Sequence, residues 1–89
     1  MHSSEEIITD IQKWLIDQYR LTIDENDRYI DSGLIDSFGI INLIIFIESS
    51  YNIKFSSDDF KDSRFFTING LSELMLEKIS DAWLYKHWH

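Results

Sequence analysis

The chain contains no cysteine and no proline, only eight basic side chains, and histidine at just three positions, His2, His87 and His89. Without cysteine there are no disulfides, no thiolate metal sites and no cysteine nucleophile, so any thioester chemistry needs a thiol brought from outside. Without proline the helices have no sharp stops. Sixteen acidic side chains against the eight basic ones give a formal charge of −8. That charge repels nucleic-acid phosphates and anionic membrane surfaces and attracts basic patches on partner proteins. Nucleic-acid binding is set aside on this ground. No apolar run approaches the roughly eighteen residues a membrane span needs, and no arginine-rich or apolar leader opens the sequence. These absences predict a soluble, cytoplasmic protein without membrane insertion.

What is present suits one modest core. Eighty-nine residues, 44% apolar and 15% aromatic, are enough for a single domain over residues 1–89 and too few for two. The periodicity predicts four helical stretches and no strands. The first runs from about Ser4 to Gln18, with Ser4 as cap, Glu5 and Glu6 in the first turn, and Ile7, Ile8, Ile11, Trp14 and Leu15 on one face. A long connection follows, pinned by Leu21, Ile23, Tyr29, Ile30 and Leu34. The second helix spans about Ser37 to Ser50, a short third starts near Ser57, and a fourth begins near Thr67 or Asn69. Its stripe of Leu71, Leu74, Met75, Ile79, Ala82 and Trp83 continues into residues 81–89, an aromatic extension of the last helix or tail, expected to cover the open side of the bundle, with a partner-binding tail as the alternative.

One serine stands out. Residues 31 to 38 read Asp-Ser-Gly-Leu-Ile-Asp-Ser-Phe, a glycine-containing turn that leads into the most apolar helix. If Asp36 caps that helix, Ser37 falls at the first helical position with its hydroxyl free, amid unpaired backbone N–H groups and the positive end of the dipole. Such a place holds a phosphate well. The plainer alternative is that Ser37 is itself the cap.

From about Tyr29 to about Met75 the chain resembles an acyl carrier protein. The residues that carry the resemblance are Asp-Ser-Gly-Leu-Ile-Asp-Ser-Phe, then Ile41, Leu43, Ile47, Glu48 and Tyr51, then Ile53-Lys54-Phe55, then Thr67-Ile68-Asn69-Gly70-Leu71. The resemblance implies an all-α, acyl-carrier-like four-helix bundle of three longer helices and one short one, with a long loop between the first two. It also implies a covalent 4'-phosphopantetheine on Ser37, with Asp36 at the motif position beside it as a helix cap or as a metal-holding group. The partners implied are a phosphopantetheinyl transferase that uses Mg²⁺ and coenzyme A, an acyl- or aminoacyl-activating enzyme, and a downstream synthase or transferase. A monomer suits such a shuttle, which itself performs no bond-making chemistry.

Helix geometry divides the second helix into two faces. At about 100° per residue, Ile40, Leu43, Ile44, Ile47 and Tyr51 share one side, and Phe38, Ile41, Ile45 and Glu48 lie on the side that Ser37 faces. The first side is read as core and the second as partner interface, against the alternative that the loop covers Phe38. Many relatives line this helix with acidic residues, whereas here Asn42 and Ser49 occupy such positions and Glu48 alone is kept. Asp58, Asp59 and Asp62 are expected to supply the remaining docking charge. The pattern looks less like a general fatty-acid carrier than a dedicated one, charged with an amino acid or an unusual acyl group.

Enzyme readings do not fit the residues. Ser37 lacks the glycine two positions earlier that a nucleophile elbow requires, and every histidine lies at a chain end. His2, His87 and His89 are read as solvated rather than as a metal site. Asp24-x-Asn26-x-Arg28 lacks the oxygen ligand and glycine of a calcium loop. The rival from another class is a small acidic helical adaptor that binds a protein through Phe38, Ile41 and Ile45, with Ser37 only a cap.

Overall fold

Three amphipathic segments become α-helices because their apolar residues recur at helical spacing and each start carries a side-chain acceptor for the first free amides. A computed structural model describes residues 2–87, with side chains described through Asp81. Helix α1 spans Ser4–Tyr19, α2 spans Ser37–Tyr51 and α3 spans Ile68–His87. Among the described residues there is no strand, only an isolated bridge between Arg28 and Thr67. The fold is all-α, and no described helix is long and apolar enough to cross a membrane.

The cap of α1 is Ser3, one residue before the expected Ser4: its hydroxyl accepts from the Glu6 amide at 3.2 Å. The helix ends on Arg20, whose positive φ of 56° lets its amide donate to the Ile16 carbonyl at 2.9 Å. Helix α3 opens on Thr67, whose Oγ1 accepts from the Gly70 amide at 3.0 Å. It continues to His87, so the last helix is extended as the sequence predicts. The packing expected of Ala82, Trp83 and the aromatic tail lies outside the described side chains.

Ile7, Ile11 and Leu15 of α1, Leu43 and Ile47 of α2, and Ile68, Leu71 and Met75 of α3 meet at 0–1% exposure. Each such side chain contributes about 1.5–3 kcal/mol by leaving water. Trp14 stacks on Phe46 with ring centroids 5.2 Å apart, joining α1 to α2.

The short helix expected near Ser57 takes the form of two 3₁₀ turns, Asp59–Lys61 and Ser63–Phe66. Local side-chain acceptors explain this. Asp59 accepts from the Ser56 amide and Asp62 from the Arg64 amide at 2.9 Å, bonds that compete with a continuous helix. Phe65 is buried from the second turn and meets Phe55 and Phe60 edge-on. Gly70 lets this turn approach α3: a Cβ there would lie 2.4 Å from the Arg64 carbonyl oxygen.

The long connection is fastened to the start of α3. The Asn69 amide donates to the Glu25 carbonyl at 2.8 Å, and the buried Tyr29 hydroxyl donates to the Phe65 carbonyl. Ile23 and Tyr29 are buried, and Leu21 and Ile30 are partly so. Leu34 is not an anchor, being 50% exposed, and its neighbour Ile35 is buried in its place. Ile35 immediately precedes the cap of α2, the position from which an apolar side chain folds back over the first turn.

Candidate functional site

The motif loop is shaped by short local bonds. Arg28 pairs with Asp31 at 2.5 Å, the Ser32 hydroxyl donates to the Tyr29 carbonyl at 3.0 Å, and Gly33 takes the left-handed conformation with φ of 74°. Asp36 is extended, and its Oδ1 accepts from the Gly39 amide at 2.8 Å while its carbonyl accepts from Ile40 at 3.0 Å. Asp36 is therefore the cap. Ser37 is the first residue of α2, it is exposed, and its hydroxyl is not spent on capping. The Ser37 and Phe38 amides lie in the first turn, where N–H groups have no intrahelical acceptor. A Cβ on Gly39 would come within 2.5 Å of Ile35 Cγ1, so glycine here lets Ile35 tuck beneath the turn and hold the cap in place.

Along α2 the two expected faces are distinct. Leu43 and Ile47 are buried, with Ile40, Ile44 and Tyr51 packed at the core's edge. On the side of Ser37, Phe38 is 72% exposed, Ile41 54% and Ile45 55%. The 19–36 loop does not cover Phe38. Leu34, expected inside, is half-exposed in the loop just before the cap. Phe38, Ile41 and Ile45 thus leave one side of α2 apolar and open.

The polar groups around this face are largely committed to the protein itself. Glu48, expected at the interface, accepts from the Phe55 amide at 2.9 Å and so secures the chain after α2. Asn42 donates to the Tyr19 hydroxyl at 3.0 Å. Of the acidic residues expected to offer docking charge, Asp59 pairs with Lys78 at 2.5 Å and Asp62 with Arg64 at 2.8 Å, while Arg64 also pairs with Glu77. Burial pushes the Asp59 carboxyl up, yet its bonds to Lys78 and Ser56 outweigh that and hold it below the usual carboxylate range. Hydrogen bonds from the Arg64 side chain and amide lower Asp62 in the same way. Of the three, only Asp58 is exposed. The charges of Asp59 and Asp62 thus clamp the 3₁₀ turns to α3.

Beyond Ile45 the face descends into an open groove of about 630 Å³, lined by Ile45, Glu48, Ser49, Asn52, Ile53, Lys54, Lys78 and Asp81. Sequence reasoning missed this groove, because its far wall comes from α3. It also missed Ile35, for which the position before a helix cap was an available signal. His2 packs edge-on against Tyr51 and lies 3.5 Å from Glu6. The side chains of His87 and His89 fall outside those described. No cluster of three or more potential metal ligands occurs among the described residues.

No protein-family profile matches this chain, and no curated protein matches it significantly. Functional inference therefore rests on the residues and geometry of the site.

Proposed function

We propose that the protein is a cytoplasmic, monomeric acyl or aminoacyl carrier that bears a phosphopantetheine arm on Ser37. The observation that carries this reading is the division of labour at the mouth of α2: Asp36 supplies the cap, so the adjacent exposed serine is available for modification. The residues present fit the group. A phosphodiester on the Ser37 oxygen has the unpaired amides of the first turn and the positive helix end beside it. The exposed Phe38, Ile41 and Ile45 would give a modifying or acyl-transferring enzyme an apolar surface next to the hydroxyl. With most neighbouring charges already paired, docking would depend on shape and desolvation more than on electrostatic steering.

In the loading step the Ser37 hydroxyl oxygen attacks the phosphorus that joins pantetheine to the nucleotide of coenzyme A. A new O–P bond forms, the pyrophosphate P–O bond breaks, adenosine bisphosphate leaves with Mg²⁺, and the hydroxyl proton passes to a base of the transferase. When bound, the arm would supply the thiol that this cysteine-free chain lacks for carrying an acyl or aminoacyl group. An activating enzyme and a downstream synthase or transferase complete the set of partners.

The exposed apolar face equally supports the adaptor reading, in which it binds a protein and Ser37 is unmodified. Incubation with coenzyme A and a broad-specificity transferase separates the two. The expected result is an intact-mass gain of one phosphopantetheine that vanishes in Ser37→Ala. An unchanged mass in a folded sample overturns the carrier reading and favours the adaptor.

A further inference from the structure

We infer that Ile35 is a positioning residue for the loading of Ser37: seated on Gly39, its side chain makes Asp36 rather than Ser37 the cap of α2 and so leaves the serine hydroxyl free to react. The inference rests on the carrier reading of Ser37 and adds to it the device that keeps the site open. Residue type does not choose the cap, since aspartate and serine serve almost equally well. A helix that began one residue later would use Ser37 instead, its Oγ accepting from an amide of the first turn. The oxygen would then be turned onto the helix with a lone pair engaged, and the nucleophile of the loading step would be spent on a structural bond.

Packing around the first turn sets the start at Asp36. Ile35 is 5% exposed and belongs to the core, although Leu34 before it is 50% exposed and Phe38 beyond the cap 72%. From the position before the cap it can fold back towards Ile40, which is partly buried against the same core. Starting the helix one residue later would put Asp36 in that place, and a carboxylate does not take an apolar seat without a partner. Gly39 supplies the seat: a Cβ there would lie 2.5 Å from Ile35 Cγ1, 3.0 Å from Ile35 Cδ1 and 3.4 Å from Asp36 Oδ1. One missing side chain therefore admits both the apolar wedge and the capping carboxylate, which reaches the Gly39 amide at 2.8 Å. Glycine is a poor helix former, so packing rather than propensity favours it here. Ile35 acts on Ser37 only through this cap.

The test follows arm transfer from coenzyme A to the intact chain by a broad-specificity transferase, read by intact mass, with kcat and the KM for the carrier taken separately. In the unmodified chain, the NMR scalar coupling across the hydrogen bond from the Gly39 amide to the Asp36 carboxylate reports which residue caps. Ile35→Ala removes the wedge and Gly39→Ala displaces it, the second at smaller cost to the fold. With two caps near equal by type, about half of the molecules or more then cap with Ser37, so kcat is expected to fall about two-fold or more and the coupling to weaken in step. KM is expected to change little, because Phe38, Ile41 and Ile45 are untouched. Ile35→Val keeps the carbon seated on Gly39 and should keep the parent kcat and coupling. Ile7→Val, a core trim at the start of α1, beside the far end of α2 where Tyr51 meets Asp10, should do the same. An unchanged kcat in folded Gly39→Ala, a fall in kcat with the coupling intact, or an equal fall in Ile7→Val overturns the assignment, and the mass gain on the parent chain still upholds the carrier reading. Should Ile35→Ala not fold, Gly39→Ala decides alone. Absence of the mass gain on the parent chain overturns the carrier reading and this inference together.

Discussion

Two glycines in this chain answer to different neighbours, and their replacement should differ in cost accordingly. A Cβ at Gly70 would meet the Arg64 carbonyl oxygen at 2.4 Å and the Arg64 Cα at 2.7 Å, both backbone atoms that cannot rotate away. Gly70→Ala must therefore push the Ser63–Phe66 turn off α3, and the overpacking should outweigh the roughly 1 kcal/mol that alanine brings to a helix. At Gly39 the obstacle is the Ile35 side chain, chiefly its Cγ1 at 2.5 Å, which a turn about χ1 can withdraw without displacing backbone, at smaller expense. Urea unfolding is expected to show Gly70→Ala losing about 2–3 kcal/mol and Gly39→Ala less than half of that. Equal losses would mean that Ile35 is held as rigidly as a backbone. The same residue-scale logic explains the site. Asp36 and Ser37 are both good caps by type, and sequence alone leaves open which one is used; the extended backbone of Asp36 and its 2.8 Å bond to Gly39 decide it.

Helix α2 is an element with two apolar faces, and a helix so apolar needs two burial partners or leaves one face in the open. Substitutions on the two faces should separate folding from docking. Ile47→Ala removes a fully buried side chain and is expected to cost about 2–5 kcal/mol in unfolding measurements. Ile45→Asp, at a position 55% exposed, should change stability by under about 1 kcal/mol while slowing arm transfer by a phosphopantetheinyl transferase at least several-fold. Unfolding of Ile45→Asp, or loading at the normal rate, would remove Ile45 from the interface. This face was legible in the sequence because position around a helix follows from residue number alone. α1 and the start of α3 were legible for the same reason, to within a residue or so. The segment after α2 was less so: Asp58 and Asp59 resemble first-turn residues of a helix, but Asp59 and Asp62 accept from Ser56 and Arg64 and break it into 3₁₀ turns. Neither those bonds nor the grip of Glu48 on the Phe55 amide follows from periodicity, since each depends on where the chain returns in space.

At the scale of the whole molecule, the pieces that sequence separates most are joined by groups that titrate at opposite ends of the pH range. The Asp59–Lys78 and Asp62–Arg64–Glu77 contacts clamp the 3₁₀ turns to α3, and the Tyr29 hydroxyl ties the long connection to Phe65. Asp59 and Asp62 have lowered folded-state values, so their contribution is complete above the unfolded carboxylate range, near pH 4, and disappears as pH falls through the folded values. Burial raises Tyr29 well above the ordinary phenol value of about 10. Its contribution is complete below pH 10 and is lost as pH rises further, because the unfolded chain gives up the proton first. Stability measured by urea unfolding should therefore form a plateau with an acid limb below about pH 4 and an alkaline limb above about pH 10. Asp59→Asn should flatten the acid limb, and Tyr29→Phe should flatten the alkaline one while lowering the plateau by about 1–3 kcal/mol, since the Phe65 carbonyl loses its buried donor. An alkaline limb equally steep in Tyr29→Phe would assign it to Tyr51 instead, whose hydroxyl is also raised, by burial first and then by Asp10. The proposed attachment site lies outside both clamps, with Ser37 exposed and Asp36 bonded to its own helix start. Arm transfer to Ser37 should thus hold level across the plateau and fail only where the fold itself does, provided the transferase remains active.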